Sequence, residues 1–216
     1  MRYPNVQQMT SRQQRVMTVT GIGDLSIEPN IAQVQLAVNT ENKDLSVAQQ
    51  ENAYVMNQVI ESLLELGISR ENIQTTTYNI SPQYDYVEGK QVFRGYQVTN
   101  AITVKITNIE QVGNVIDVAV QNGVNNVSNI QFTVENEQFH YQQALSLALK
   151  NALAKAQTIA ATIQLQLDPH PIKIVEEVRA EPVLYRTFSA KELTGSTPIE
   201  QGQITISATV KVQFQY

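Results

Sequence analysis

Hydrophobic and polar positions alternate in two registers along this chain, and the switches between them mark its elements. From Val16 the pattern reads as a strand to residue 27. From Ile31 to Thr40, Ala32, Val34, Leu36 and Val38 then alternate with Gln33, Gln35 and Asn39. A period of two describes a strand with one buried and one wet face. After Asp44 the period lengthens: Leu45, Ala48, Val55, Val59, Ile60, Leu63 and Leu66 recur at helical spacing. This predicts a helix with Asp44 as N-cap and Gly67 just past its end. Residues 73–86 and 91–107 read as two long strands joined at Glu88-Gly89-Lys90, a short glycine-containing turn of the kind hairpins use.

Asn108, with Gln111 three residues on, caps a second predicted helix carrying Val112, Val115, Ile116, Ala119 and Val120 and stopping at Asn122-Gly123. A strand follows over residues 127–135. A third helix over 137–166 carries Ala144, Ala148, Ala152, Ala156 and Ala160 at four-residue spacing, flanked by Leu145, Leu149 and Leu153. A row of small side chains lets a helix approach its neighbour closely. Asp168-Pro-His-Pro171 breaks the helix, and residues 172–179 read as a strand. Residues 181–203 hold Pro182, Gly195, Pro198 and Gly202 with no clean period, and are expected to form a long loop. Residues 204–214 alternate cleanly and close the chain as a strand. The order ββαββαβαββ specifies an α+β fold, an antiparallel or mixed β-sheet covered by helices. Residues 1–15 are polar and read as a flexible tail. The rest forms one domain or two interlocked sub-domains of about residues 16–107 and 108–216.

Gly21 and Gly23 look at first like a phosphate-binding loop after a strand. The third glycine position of that motif holds Ser26, and a strand follows where a helix is required. The expectation is a strand bulge or kink with the glycines at positive φ, and a turn at Glu28-Pro29-Asn30.

Composition then narrows the chemistry. With a net charge of -5 and a pI near 5.1, the chain lacks the general basic footprint of a nucleic-acid binder. The chain has no cysteine, which excludes disulfides, thiolate metal sites and thiol nucleophiles and leaves the redox compartment unmarked. No apolar run is long enough to span a bilayer, and the first residues lack an apolar leader core, so a cytoplasmic location is expected, with the envelope left open. His140 and His170 lie far apart without partners at metal or triad spacing. Glu176 and Glu177 point to opposite faces of a strand and read as solvated edge charges. No catalytic, cofactor-binding or metal residue is assigned. Tyr84, Tyr86, Phe93 and Tyr96 flank the hairpin turn, where cross-strand packing explains them and a protein interface is the next reading.

Several short segments together resemble one family. They are the opening V-T-G-I-G stretch with Pro29-Asn30 and Ala32, Ile80-Ser-Pro-Gln-Tyr84, Gly95-Tyr96-Gln-Val-Thr-Asn100, and Val112-Gly-Asn-Val-Ile-Asp117. Gly123-Val-Asn-Asn-Val127, Ile130-Gln-Phe132, Ala144-Leu145, Lys155-Ala156 and the closing Gly202-Gln-Ile204 complete the set. Their order over residues 16–216 is similar to the SIMPL-domain family of bacterial proteins. That resemblance implies an α+β domain, self-association and a loose link to oxidative-stress defence or immunogenicity, with no established catalytic site. The family's usual aspartate after the first-turn proline is Asn30 here, so that position does not need a charge.

The leading expectation is a non-enzymatic, self-assembling scaffold or interaction module. Its expected contact surfaces are the hairpin of residues 73–107, with Tyr84, Tyr86, Phe93 and Tyr96, and the segment of residues 181–203, with Leu184, Tyr185 and Phe188. Homo-oligomers, and no nucleic acid or membrane span, are expected. The alternative is a small-molecule or peptide binder with a pocket between helix and sheet. A hydrolase comes last, because no nucleophile lies near a base in sequence.

Overall fold

The computed structural model describes residues 15–177, the backbone of residues 183–185, and residues 197–216. Among these, eight strands and three helices follow in the order β1 (Val16–Ile27), β2 (Ile31–Asn42), α1 (Leu45–Glu65), β3 (Ile73–Val87), β4 (Lys90–Ile106), α2 (Val112–Gln121), β5 (Asn126–Thr133), α3 (Glu137–Thr162), β6 (Pro171–Glu177), β7 (Val183–Tyr185) and β8 (Gln203–Gln215). The fold is α+β as expected, with one strand more than the sequence pattern supplies. That strand, β7, pairs with β8 inside the stretch expected to be all loop. Three residues are too few to show a period.

The strands form two sheets, β3-β4-β2-β5 and β1-β8-β6. Chain contacts likewise separate two compact units, one containing residues 27–137 and the other residues 15–26, 138–177 and 205–216. Residues 107 and 108 fall within the first.

In the unit of residues 27–137, the even positions of β2 lie opposite the even positions of β4: Val34 opposite Val104, Leu36 opposite Ile102, Val38 opposite Asn100. This face meets Met56, Val59 and Leu63 of α1 and Val112, Val115 and Ala119 of α2 in one buried cluster. Asp44 caps α1 as expected, accepting from Ser46 N–H at 2.8 Å. The cap contacts hold the Asp44 carboxyl below its usual range, the hydrogen bonds from Ser46 being the main cause. At the other end Gly67 has φ 88, and Ile68 N–H reaches back to Leu63 C=O at 3.0 Å, with both apolar side chains buried. Asn52, fully buried in α1, donates to Val38 C=O and Val98 C=O at 2.9 and 3.2 Å and so fixes the helix to both central strands. Asn30 accepts from Glu135 N–H at 2.8 Å and donates its own N–H to Thr133 C=O, tying the start of β2 to the end of β5. A neutral amide oxygen suffices there.

In the other unit, the odd residues Met17, Val19, Gly21 and Gly23 of β1 are buried in unbroken alternation. The expected glycine bulge at positive φ is therefore replaced by a different role. Neither glycine is among those at positive φ, which are Gly67, Gly89, Gly123 and Gly202 among the described residues. A Cβ at Gly21 would collide with the Ala148 carbonyl oxygen and Ala152, and one at Gly23 with the Ala144 carbonyl oxygen. The glycines are seats for α3, whose Ala144, Ala148, Ala152, Ala156 and Ala160 are all buried. Helix α3 stops at Thr162, short of residue 166, because Gln164 turns to φ 56 and Leu165 N–H bonds Ala160 C=O. Strand β6 joins β8 in antiparallel register. The expectation that residues 181–203 connect two strands of one sheet is met, whereas the mobility expected of them concerns residues that lie outside those described.

Candidate functional site

The end of the β3–β4 hairpin carries the aromatic side chains that the sequence singles out. Its turn is two residues long, Glu88 at φ 49 and Gly89 at φ 77, the doubly left-handed geometry that matches strand twist. Pairing is regular from Val87 opposite Lys90 to Tyr84 opposite Phe93, then shifts so that Gln83 lies opposite Gly95. Arg94 is the extra residue. Its insertion turns Phe93 and Tyr96, three positions apart, onto one face, where Tyr84 meets Phe93 edge-on at 5.7 Å and Phe93 meets Tyr96 at 5.1 Å. Tyr78, Ile80, Pro82, Tyr84 and Tyr86 line the same face of β3, and Tyr78 Oη accepts from Gln49 of α1 at 3.4 Å. Tyr86 is 77% exposed, Tyr84 44% and Phe93 41%. Tyr84 and Phe93 thus touch one another and also face solvent.

The bulged Arg94 has a job that sequence reading missed. Its guanidinium forms a two-pronged pair with Glu41 at 2.6 and 2.8 Å and reaches Asp85 at 3.4 Å. These bonds, with the attraction of Glu41, raise the Arg94 pKa further above its usual value. The pair ties the hairpin to the end of β2 from the face opposite the rings. Nothing local could show it, because Glu41 and Arg94 meet only once β2 pairs with β4.

The other expected contact residues gain less. Leu184 and Tyr185 lie in β7 and so share a sheet with β8, and Phe188 lies outside the described residues. The end of the same segment is fixed: Asp117 of α2 accepts from both the backbone N–H and the hydroxyl of Thr197, and Ile199 packs on the core of β2, β4 and α1. The Thr197 bonds lower the Asp117 pKa, the hydroxyl contributing most.

The histidines remain apart. Nδ1 of His170 lies 2.9 Å from Asp168 on the surface, and the backbone N–H of His170 lowers the Asp168 pKa most. His140 packs its ring edge-on to Phe139 at 5.5 Å. Glu176 accepts from Tyr141 Oη at 2.6 Å, and this bond raises the tyrosine pKa, while Glu177 is exposed on the other face of β6. Among the described residues no group of three His, Asp or Glu side chains could hold a metal ion. Nor, among the described residues, is any helix long and apolar enough to cross a membrane. One open groove of about 500 Å³ runs between β1 and α3, lined by Val19, Thr20, Ala154, Lys155, Thr158 and Ile159.

Comparison with known proteins matches residues 17–214 to the SIMPL family, described as a protein of unknown function (DUF541). The chain is 29% identical to the 26 kDa periplasmic immunogenic protein of Brucella melitensis, over 96% of this chain and 87% of that protein. The Brucella abortus counterpart is 28% identical over the same shares. The uncharacterized protein YggE of Escherichia coli K12 is 25% identical, covering 92% of this chain and 82% of YggE. The periplasmic designation of the Brucella proteins overturns the expected cytoplasmic location. Composition could not have shown this, since a chain without cysteine carries no redox mark of its compartment.

Proposed function

Because the chain belongs to the SIMPL family, we propose that it acts in the periplasm as a non-enzymatic, self-assembling interaction module, with the hairpin end as a contact surface. The observation that carries this reading is the exposed face of Tyr84 and Phe93, held in shape by ring contacts on one side and the Arg94–Glu41 pair on the other, with Tyr86 exposed beside them. Aromatic side chains that are exposed yet fixed lose little conformational entropy on docking, the property of residues that dominate interfaces. The titratable groups with displaced pKa values, Asp44, Arg94, Asp117, Tyr141 and Asp168, each owe the displacement to a bond that holds two segments, a cap or a turn together. Structural ties account for them without a reaction.

Light scattering at micromolar concentration is expected to give a multiple of the 24.1 kDa chain mass. Replacing Tyr84, Tyr86 and Phe93 with serine should lower that mass at unchanged secondary structure, and a wild-type mass of one chain refutes self-assembly. The groove beside Ile159 supports the small-molecule alternative. A rise in melting temperature with a long-chain amphiphile, abolished by Ile159→Glu, would favour that alternative.

A further inference from the structure

Four long strands form the outer edges of the two sheets: β1 and β6 in one, β3 and β5 in the other. An edge strand offers unpaired N–H and C=O groups to any strand that can lie beside it, so proteins interrupt or cover such rows. Three of these edges are interrupted within their length. On β1, Asn151 accepts from Ile22 N–H at 3.2 Å and Lys155 donates to Thr20 C=O at 2.9 Å, so two side chains one turn apart on α3 occupy the edge. On β3, Pro82 has no N–H to offer, and pairing slips between Thr75 and Thr77. On β5, pairing slips opposite Gln33 and Gln35, and Asn129 turns to φ 51.

Strand β6 carries such devices only at its start, where Pro171 has no N–H to offer and pairing slips before Lys173. From Lys173 to Glu177 it keeps unbroken register with β8, and every residue of it is exposed. The cause lies at the opposite edge. Gly21 and Gly23 draw α3 down onto β1, so Ile172 and Ile174, on the helix side of the sheet, remain 48% and 51% exposed. The direction of the free groups follows from β8: Tyr216 N–H bonds Arg15 on the β1 side, whereas Gln215 C=O receives Asp168 N–H on the other. Odd residues of β8 therefore face β6. Since Lys173 lies opposite Gln213 and Val175 opposite Lys211, the backbone groups of Ile174 and Glu176 point away from the sheet.

The geometry points to β6 as a strand-addition site for a second copy of this chain, the two β6 strands running antiparallel about a two-fold axis at Val175. This rests on the self-assembly reading and names a surface for it. Charge selects both occupant and register. Centred on Val175, the pairing sets Lys173 of each copy opposite Glu177 of the partner subunit, twice by symmetry, and lets the outward groups of Ile174 and Glu176 bond across the axis. Centred one residue earlier, it sets Lys173 opposite Val175 and leaves the charges unmatched. Opposite charges directly across a sheet stabilise the pairing.

The absence of cysteine makes the test direct. A Val175→Cys chain places its one thiol at the axis, where facing Cα atoms of a non-hydrogen-bonded pair stand about 4.5 Å apart, within disulfide reach. Mild oxidation is expected to give a covalent dimer in high yield, against little for Glu61→Cys on the exposed face of α1. Lys173→Glu should lower the solution mass of the wild-type assembly, and adding Glu177→Lys should restore it. Ile174→Pro removes an outward N–H that the chain's own sheet does not use, and should dissociate the pair at nearly unchanged melting temperature. If the wild type is assembled, yet Val175→Cys stays monomeric on oxidation and Lys173→Glu leaves the mass unchanged, the β6 pairing is wrong and self-assembly runs through another surface. If the wild type is a monomer at all concentrations tested, self-assembly falls and the β6 pairing with it.

Discussion

Single residues in this chain act through what they leave out as much as through what they contribute. Gly21 and Gly67 make the contrast measurable. Gly67 stands at φ 88 with open space around it, so alanine there costs only backbone strain, on the order of 1 kcal/mol. Gly21 has ordinary strand geometry, but its missing Cβ is the space that Ala148 and Ala152 occupy. Alanine there must push α3 off β1, an overpacking cost of about 1–3 kcal/mol. Gly21→Ala is therefore expected to lower the melting temperature more than Gly67→Ala, and the reverse order in a thermal melt would remove the seat argument. The glycines were conspicuous in the sequence. Their partner, the alanine row, was equally visible, but nothing local says that the two meet.

At the scale of elements, caps and turns were legible because their signals are local. Asp44, Gly67, the Glu88-Gly89 turn and Gly123 do what their positions in the sequence suggest, whereas Asn108 caps the short 3-10 turn Ile109–Gln111 that leads into α2 and not α2 itself. The clasp of Thr197 on α2 was not legible, since its halves are 80 residues apart. Its pH behaviour follows from sign. The folded pKa of Asp117 is depressed, so its contribution is present above the unfolded carboxylate value and is lost as pH falls through the folded one. Amide exchange at Thr197, after correction for the intrinsic rate, should show protection at neutral pH that weakens below about pH 4, near the ordinary aspartate value. Asp117→Ala should remove that protection at neutral pH. Protection that survives in Asp117→Ala would mean that the backbone of residues 197–199 is held by something else.

At the scale of the whole molecule, the last strand in sequence is central in space, since β8 lies between β1 and β6. A chain ending at Gly202 would leave those two strands without their shared partner and α3 without most of its apolar floor of Ile206, Ala208, Val210 and Val212. The expected outcome is loss of exchange protection in β1, α3 and β6, with protection kept in β2, β4 and α1, whose cluster needs nothing beyond Ile199. Uniform loss across both sets would show that the two compact units do not fold separately.

The sequence by itself determined the element order apart from β7, the cap of α1, the hairpin and the buried faces of β2 and β8, because periodicity and capping are properties of neighbouring residues. It also carried the family, through many weak motifs in a fixed order. Tertiary structure decided how the strands divide between two sheets, that Gly21 and Gly23 receive a helix, that Arg94 ties the hairpin to Glu41, and that three edges are interrupted within their length while β6 is interrupted only at its start. Each of these depends on which distant backbone comes within a few ångströms of which other, and that is settled only when the sheets pair and the helices are drawn onto them.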